Sequence, residues 1–212
     1  MTDPRLWGLY VITDGRGPTT EDLLERTRQA IAGGARIVQY RDKRPQDSAR
    51  RLEEARALAH LCRSQGAAFI VNDDVSLAAE SEADGVHLGK HDPDPDQARA
   101  ILGTGAIIGV SCYNDLRRAL RLAGRGADYI AYGRFFPSRT KPGAVAASVS
   151  LLEASRKHLN IPIAAIGGIT AANGGQLIRA GADMLAVIEA AFGQPDITAA
   201  CRKFASCFPP SH

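Results

Sequence analysis

Short apolar segments recur along the whole chain, and longer segments with a helical period separate them. The apolar segments are Leu9–Thr13, Ile37–Tyr40, Ala68–Val71, Gly85–Leu88, Ile107–Ser111, Tyr129–Tyr132, Ile163–Ile166 and Met184–Ile188. They are apolar at consecutive positions, as expected of parallel strands that helices cover on both faces of a sheet. The pattern therefore predicts eight buried β-strands.

The intervening segments have the period of amphipathic helices. Arg50–Gln65 and Asn114–Arg125 each place apolar side chains three or four residues apart, which gives one apolar stripe. Small residues end such segments just before the next strand, as in Gly126-Ala127 and Gly181-Ala182. Glycine suits the left-handed cap that ends a helix, so these positions predict helix C-termini.

The repeated strand–helix unit predicts an α/β protein with one domain over residues 1–212. Eight units without a long linker favour a single (β/α)₈ TIM barrel over the alternative, an open doubly wound sheet. The last helix is expected at Ile197–Phe204, and residues 208–212 are expected to form a frayed tail.

Composition limits the classes of partner. The chain has 212 residues and a net charge of +3, and its 26 Lys and Arg residues are scattered, which disfavours nucleic-acid binding. No N-terminal signal and no apolar run of about 18 residues is found, which disfavours a membrane partner. The four cysteines form no CxxC pair and suit reduced thiols. We expect a cytoplasmic protein that acts on small molecules; a homo-oligomer is compatible with this composition.

Candidate chemistry collects where the predicted strands end, which is where the active site of a (β/α)₈ barrel lies. After the second strand, alternation puts Gln39, Arg41 and Lys43 on one side and Tyr40 and Asp42 on the other. Three donors on one side, two of them cationic, indicate a clamp for a polyanion. The alternative is an ordinary solvated strand end.

Carboxylates follow the third and fourth strands. If these strands are neighbours, Asp73 and Asp92 share a Mg²⁺ ion that also holds substrate phosphates, since this cation favours one or two carboxylates with phosphate and water. The alternatives are a helix cap at Asp73 and a plain loop acid at Asp92. Asp74 is the better cap for the helix that begins near Val75. His87, inside an apolar strand, is expected to be a hydrogen-bonded core histidine rather than a ligand.

Three further strand ends suit anions. Ser111 ends the fifth strand without apparent His–Asp partners, so it is predicted to donate to an anion rather than act as a nucleophile. The loop 133–143 after the sixth strand carries Ser138, Thr140 and Lys141, as a phosphate-binding lid does; a plain surface loop is the alternative. Gly168 follows the seventh strand, where bare amides form an anion site or simply a tight turn.

Six segments in fixed order carry a family resemblance: QYRDK, VND, GVHLG followed by Asp92, GVS, FFPSRTKP and AIGGIT. Together they resemble thiamine phosphate synthase over nearly the whole chain. The resemblance implies a TIM barrel that joins 4-amino-2-methyl-5-(diphosphomethyl)pyrimidine to 4-methyl-5-(2-phosphoethyl)thiazole. The products are thiamine phosphate and pyrophosphate, the enzyme is a Mg²⁺-dependent transferase of thiamine biosynthesis, and a dissociative reaction requires no general base.

The resemblance also implies residue roles. The pyrimidine diphosphate contacts are Gln39, Tyr40, Arg41, Asp42, Lys43, Asn72, Ser111 and Lys141. The thiazole phosphate contacts are Ser138, Arg139, Thr140, Gly168, Ile188 and Glu189. Catalysis is implied for Arg41, Lys43, Ser111 and Lys141, and Mg²⁺ binding for Asp73 and Asp92.

Glu189 departs from the family pattern, which commonly has serine at this position. A carboxylate about 4 Å from a phosphate costs on the order of 4 kcal/mol per charge pair at an effective dielectric near 20. Arg134 or Arg139 would offset this, or the side chain points away while the backbone N–H still binds. Two other functions stay open: a related thiazole tautomerase, whose histidine after the strand-five serine is missing in Cys112-Tyr113-Asn114, and a degenerate paralogue that binds thiamine intermediates without turnover.

Overall fold

Strands and helices alternate throughout the computed structural model, which describes residues 3–17, 19–42, 48–137 and 145–209. The strands are β1 Gly8–Ile12, β2 Ala35–Tyr40, β3 Ala68–Asn72, β4 Gly85–Leu88, β5 Ile107–Tyr113, β6 Tyr129–Gly133, β7 Ile163–Ile166 and β8 Met184–Val187. The helices are α1 Thr20–Ala32, α2 Ser48–Ser64, α3 Val75–Glu80, α4 Pro95–Leu102, α5 Leu116–Ala123, α6 Val149–Arg156, α7 Ala171–Arg179, α8 Glu189–Phe192 and α9 Ile197–Ala205.

The strands close into a parallel barrel. Each strand pairs with its neighbour in sequence, and β8 pairs with β1. The predicted (β/α)₈ barrel is therefore confirmed, and the open doubly wound sheet is excluded, because the closed sheet has no edge strand. Among the described helices, none is long and apolar enough to cross a bilayer.

Two hydrophobic layers explain why the strands are apolar at consecutive positions. Side chains such as Tyr10 and Ile12 fill the barrel interior. The alternate side chains of the same strand, Leu9 and Val11, pack outward against the helices. Both layers are buried, so no strand needs a polar face.

A recurring aspartate before a strand fixes the barrel at the end opposite the strand tips. Asp84, Asp128 and Asp183 each accept a hydrogen bond from the first or second backbone N–H of an adjacent strand; the donors are Phe69, Ile108 and Ile163, at 2.8, 2.7 and 2.7 Å. Each of these carboxylates also pairs with an arginine: Arg5, Arg99 and Arg156, respectively. Helices α5 and α7 have their C-caps at Gly124 and Ala180, in line with the predicted small residues, whereas α3 has its C-cap at Ser81; in each case the aspartate that follows anchors the sheet.

Three predicted boundaries differ from the structure. The helix predicted at Asn114–Arg125 is shorter, because the Asp115 side chain caps it by accepting from the Arg118 N–H. Strand β8 ends before Ile188, which precedes the short helix α8 that the sequence did not predict. Phe208 is not part of a frayed tail, because it is buried and its ring packs edge-on against Trp7 at 5.1 Å.

We expect Gly109→Ala to destabilise the barrel, because a Cβ at Gly109 would lie 2.0 Å from the Tyr129 ring. Overpacking of this kind costs about 1–3 kcal/mol of unfolding free energy, which urea denaturation measures. Gly105→Ala is the matched control, since nothing lies within 4 Å of its Cβ position. Equal loss of stability in the two variants would contradict the role of Gly109 in seating the tyrosine.

Candidate active site

A cavity of about 440 Å³ lies at the carboxyl ends of the barrel strands. Its lining includes residues of several strand ends and the loops after them, among them Gln39, Arg41, Asn72, His87, Ser111, Tyr113, Arg134, Gly168, Ile188 and Glu189. The barrel thus brings together predicted residues that are up to 150 positions apart in the sequence. This is the end of the barrel where the sequence analysis placed the chemistry.

The end of β2 presents Gln39 and Arg41 to the cavity, as the alternation predicted. Gln39 is buried, and its amide nitrogen donates to the Tyr10 hydroxyl at 2.6 Å. Thr13 fixes the backbone of Arg41, because its hydroxyl accepts from the Arg41 N–H at 2.9 Å and contacts the carbonyl at 3.2 Å. The backbone from which the Arg41 side chain extends is therefore held by hydrogen bonds to Thr13.

Tyr40 and Asp42 lie on the other side of this strand. The Tyr40 hydroxyl donates to Glu54 of α2 at 2.7 Å, and burial together with Glu54 raises the pKa of the phenol. Its side chain packs between sheet and helix and does not line the cavity, so the predicted contact of Tyr40 with the substrate stays a prediction. Asp42 lines a separate groove of about 510 Å³ with Asn72 and Asp73, rather than the cavity that holds Arg41.

The two predicted metal-binding carboxylates meet at Gly89. A Cβ at Gly89 would lie 3.1 Å from Asp92 Oδ2 and 3.9 Å from Asp73 Oδ1, so glycine leaves the space between them open. The Gly89 N–H donates to Asp92 at 2.6 Å. The Asp73 N–H donates to the His87 carbonyl at 2.8 Å, and Asp73 has a positive φ of 65°, which aspartate tolerates better than most residues. Asp74 caps α3, as predicted.

Two oxygen donors on adjacent strand ends suit a hard cation that takes its remaining ligands from a substrate. Within the described residues, no group of three or more His, Cys, Asp and Glu side chains could hold a metal ion without such help. Arg118 of α5 ties this region to the next strand, since it donates to the carbonyls of Gly89 and Ser111 at 3.0 and 2.9 Å.

Ser111 and His87 form a hydrogen-bonded pair at the cavity wall. The Ser111 hydroxyl lies 2.9 Å from His87 Nε2, and the other ring nitrogen lies 2.9 Å from the Tyr129 hydroxyl. His87 is therefore the hydrogen-bonded core histidine that the sequence predicted. Cys112 is buried among apolar groups, and this burial raises its pKa to about 12, so it packs in the core as predicted.

Bare backbone lines the opposite wall, at the end of β7. Gly167 and Gly168 have positive φ angles of 101° and 66°, and a Cβ at Gly168 would lie 2.4 Å from the Pro137 carbonyl oxygen. Glycine is therefore required both by conformation and by the close approach of the neighbouring loop. The Thr170 side chain caps α7. In the first turn of that helix, the side-chain amide of Asn173 donates to the Gly168 carbonyl at 3.2 Å. Backbone amides and a helix N-terminus make this wall favourable for an anion.

Glu189 carries an ion pair that the sequence did not predict. Its carboxylate pairs with Arg16, from the loop after β1. The carboxylate also curls toward Gly193, since a Cβ there would lie 2.4 Å from Glu189 Oε1. The side chain thus extends along α8, away from the backbone N–H at the start of that helix.

Arg16 is held in turn by a buried acid. Its Nε lies 3.3 Å from Asp14, whose side chain is only 5% exposed and also pairs with Arg26 at 3.1 Å. Arg26 donates to the Phe192 carbonyl at the end of α8 at 2.6 Å. The loop after β1 and helix α8 therefore form one charged network beside the cavity.

Several predicted site residues lie outside the described residues: Lys43, Ser138, Arg139, Thr140 and Lys141. Their predicted roles therefore stay predictions. The described part of the β6 loop is attached to the glycine wall, because Phe135 and Phe136 donate to the carbonyls of Ile166 and Gly167 at 3.2 and 3.0 Å.

Tyr10, Tyr129 and Arg16 were not predicted from the sequence. A signal for the two tyrosines was present, because a phenol inside an apolar strand needs a buried hydrogen-bond partner. No local pattern pointed to Arg16, whose partner Glu189 lies 173 residues further along the chain.

Known proteins similar to this chain span nearly its whole length. A family model described as thiamine monophosphate synthase matches residues 9–191. The chain is similar to the thiamine-phosphate synthase of Aromatoleum aromaticum, with 48% identity covering 98% of this chain and 99% of the other. It is also similar to that of Nitrosococcus oceani, with 50% identity covering 95% and 93%. The solved thiamine phosphate pyrophosphorylase from Pyrococcus furiosus superposes with a TM-score of 0.86, 34% identity and 96% coverage of both chains.

Proposed function

The chain belongs to the thiamine monophosphate synthase family, and we propose that it makes thiamine phosphate from a pyrimidine diphosphate and a thiazole phosphate. The substrates are 4-amino-2-methyl-5-(diphosphomethyl)pyrimidine and 4-methyl-5-(2-phosphoethyl)thiazole, and pyrophosphate is released. Near-complete similarity to proteins named for this activity carries the proposal. The cavity supports it, because one wall offers a guanidinium and the other offers backbone amides.

The pyrimidine diphosphate is assigned to the wall formed by β2, β3 and β5. Arg41 would bind the diphosphate, while Gln39, Asn72 and Ser111 offer hydrogen bonds from the same wall. As the bond from the methylene carbon to the diphosphate oxygen breaks, the electron pair leaves with pyrophosphate. Arg41, with Lys43 and Lys141, would stabilise that growing negative charge. The thiazole nitrogen then forms the new C–N bond with its lone pair, so no proton has to be removed.

Mg²⁺ is the cation we propose for Asp73 and Asp92. Their carboxylates converge on the open space above Gly89, beside Asn72, which lines both the cavity and the adjoining groove. When bound, the ion would neutralise phosphate oxygens of the leaving group. Substrate oxygens and water would complete its coordination, as is usual for Mg²⁺ bound by two carboxylates.

The thiazole phosphate is assigned to the opposite wall. Gly168 and the start of α8 at Ile188 and Glu189 line the cavity there; their amides would bind the phosphate, and Ser138, Arg139 and Thr140 would complete the contacts. Glu189 does not bring an uncompensated charge, because Arg16 pairs with its carboxylate. The departure from the family serine is therefore compatible with phosphate binding by the backbone.

We also propose a cytoplasmic location. The four cysteines are free in the structure, and three of them are buried. Unpaired thiols suit a reducing compartment.

Incubation with both substrates and Mg²⁺ tests the reaction. We expect thiamine phosphate and pyrophosphate to appear in equal amounts, and only when both substrates are present. A thiazole tautomerase would instead change the thiazole substrate without the pyrimidine and release no pyrophosphate. A degenerate paralogue would bind the substrates in calorimetry and form no product. Either result would overturn the proposed synthesis.

We expect Asp73→Asn and Asp92→Asn to raise the Mg²⁺ concentration for half-maximal rate by at least about tenfold to a hundredfold, the range seen even for outer-shell ligand partners. Asparagine keeps an acceptor for the Gly89 N–H and tolerates positive φ, so the backbone should persist. Asp96→Asn is the matched control, because Asp96 is an exposed acid that pairs with Arg125. Wild-type Mg²⁺ dependence in both site variants would contradict metal binding there.

We expect Glu189→Ser to change the KM for the thiazole phosphate by less than about fivefold, since exposed ion pairs contribute at most about 1 kcal/mol. Arg16→Ala should raise this KM more, because it leaves the Glu189 carboxylate beside a phosphate. The double variant should return the KM toward the wild-type value. Steady-state kinetics with varied thiazole phosphate measures all three.

Arg125→Ala is the control for these variants, because it breaks an exposed pair remote from the cavity lining. A KM that falls more than about tenfold in Glu189→Ser, well beyond what an exposed pair contributes, would mean that the carboxylate opposes the phosphate despite Arg16.

A further inference from the structure

A chain of buried hydrogen bonds crosses the barrel interior and joins two residues of the cavity wall. It runs from Gln39 to the Tyr10 hydroxyl at 2.6 Å, then to the Tyr129 hydroxyl at 2.8 Å. From Tyr129 it continues to His87 Nδ1 at 2.9 Å, and from His87 Nε2 to the Ser111 hydroxyl at 2.9 Å. Four strands contribute to the interior part of this chain, and Ser111 at its end lines the cavity.

The strand register allows the central contact. His87 of β4 pairs with Gly109 of β5, and Gly109 pairs with Tyr129 of β6. Because the middle position has no side chain, the tyrosine ring lies over Gly109 and reaches the imidazole, with ring centroids 5.5 Å apart. The contact therefore depends on glycine between two larger residues in one row of the sheet.

Counting donors gives the direction of the hydrogen bonds. The Gln39 amide supplies the hydrogen between Gln39 and Tyr10. Each of the two phenols has one hydroxyl hydrogen. Among the described residues, the hydroxyls of Tyr10 and Tyr129 bond only to other members of this hydrogen-bonded series. If each phenol hydrogen is used, Tyr10 donates to Tyr129 and Tyr129 donates to His87 Nδ1. With the Gln39 amide nitrogen toward Tyr10, any other arrangement leaves a buried phenol hydrogen without an acceptor, which is unfavourable.

Nδ1 then accepts, so a neutral His87 carries its proton on Nε2 and donates it to Ser111 Oγ. The serine oxygen thereby accepts from His87 with one of its two lone pairs, and its own hydrogen is left for the cavity. The phenols remain neutral, as this requires, because burial raises the pKa of both Tyr10 and Tyr129 well above the ordinary tyrosine value.

We propose that Tyr10, Tyr129 and His87 are positioning residues, which hold His87 as the Nε2–H tautomer and so direct the Ser111 hydroxyl hydrogen into the cavity. Ser111 is then a permanent donor toward an anionic oxygen and a poor base. The identity of that anion as the diphosphate rests on the proposed function. The tautomer of His87 does not rest on the proposed function, since it follows from the series of buried hydrogen bonds.

The tautomer is measured by NMR of protein labelled with ¹⁵N-histidine, in which two-bond correlations distinguish protonated from unprotonated ring nitrogens. Loss of one signal set in His87→Asn assigns the residue among the five histidines. We expect only the Nε2–H form of His87 in the unsubstituted protein. Tyr129→Phe removes the donor to Nδ1, so the Nδ1–H form should become populated. An Nδ1–H form in the unsubstituted protein overturns the proposal, whatever the variants do.

Tyr132→Phe is the matched control. Tyr132 is a second buried tyrosine of β6. Its hydroxyl accepts from Ser155 of α6 at 2.9 Å and takes no part in the hydrogen-bonded series that contains His87. Its removal should lower thermal stability without changing the His87 tautomer. An equal tautomer change in Tyr132→Phe would show a general structural effect and also overturn the proposal.

Kinetics then tests the consequence for Ser111. We expect Ser111→Ala to lower kcat by about tenfold to a hundredfold, as loss of a hydrogen bond to a charged group does. Tyr129→Phe should lower kcat less, and should add little in the Ser111→Ala background, because both changes act through one hydroxyl. Full additivity of the two effects on kcat would contradict the proposal that Tyr129 acts through the Ser111 hydroxyl. If the protein shows the expected tautomer but forms no thiamine phosphate, the proposed function is refuted, while the positioning of Ser111 by His87 still holds.

Discussion

Closure of the parallel barrel is the constraint on which the rest of the structure depends. It sends the strand tips to one rim, and it creates an interior that side chains must fill. Here two tyrosines, Tyr10 and Tyr129, fill part of that space. Their hydroxyls need partners when buried, and they find them in Gln39 on the strand next to Tyr10 and in His87, across β5 from Tyr129. Filling the core therefore also orients part of the cavity wall.

The rim divides into two walls of different chemistry. Side chains dominate one wall, where Arg41 faces the cavity and the carboxylates of Asp73 and Asp92 lie close to Gly89. Backbone dominates the other wall, where Gly167 and Gly168 hold positive φ angles and present no side chain. A cationic wall suits a leaving diphosphate, and a wall of backbone amides suits a phosphate that stays bound. Two phosphorylated substrates can thus be told apart by one barrel.

Charge balance around α8 shows how a family departure is accommodated. Glu189 adds a carboxylate beside the amide wall, yet Arg16 pairs with it and Asp14 holds Arg16. Arg26 joins the same acid and also donates to the carbonyl of Phe192 at the end of α8. The network keeps the carboxylate near a cation, and the side chain reaches toward Gly193 at the end of α8. A residue change at one strand end is therefore compensated by the loop after another strand.

Local pattern was sufficient for the strands, the closed barrel and much of the cavity, because strand period and turn chemistry depend on near neighbours in sequence. It placed Gln39 and Arg41 on one side of β2, and it identified Asp74 as a cap, which left Asp73 for the groove. Only the tertiary structure decided that Tyr40 turns to Glu54, that Tyr129 reaches His87 over Gly109, and that Arg16 meets Glu189. These contacts join elements that are distant in the chain. Their geometry is set by strand register and barrel closure, which no local sequence window contains.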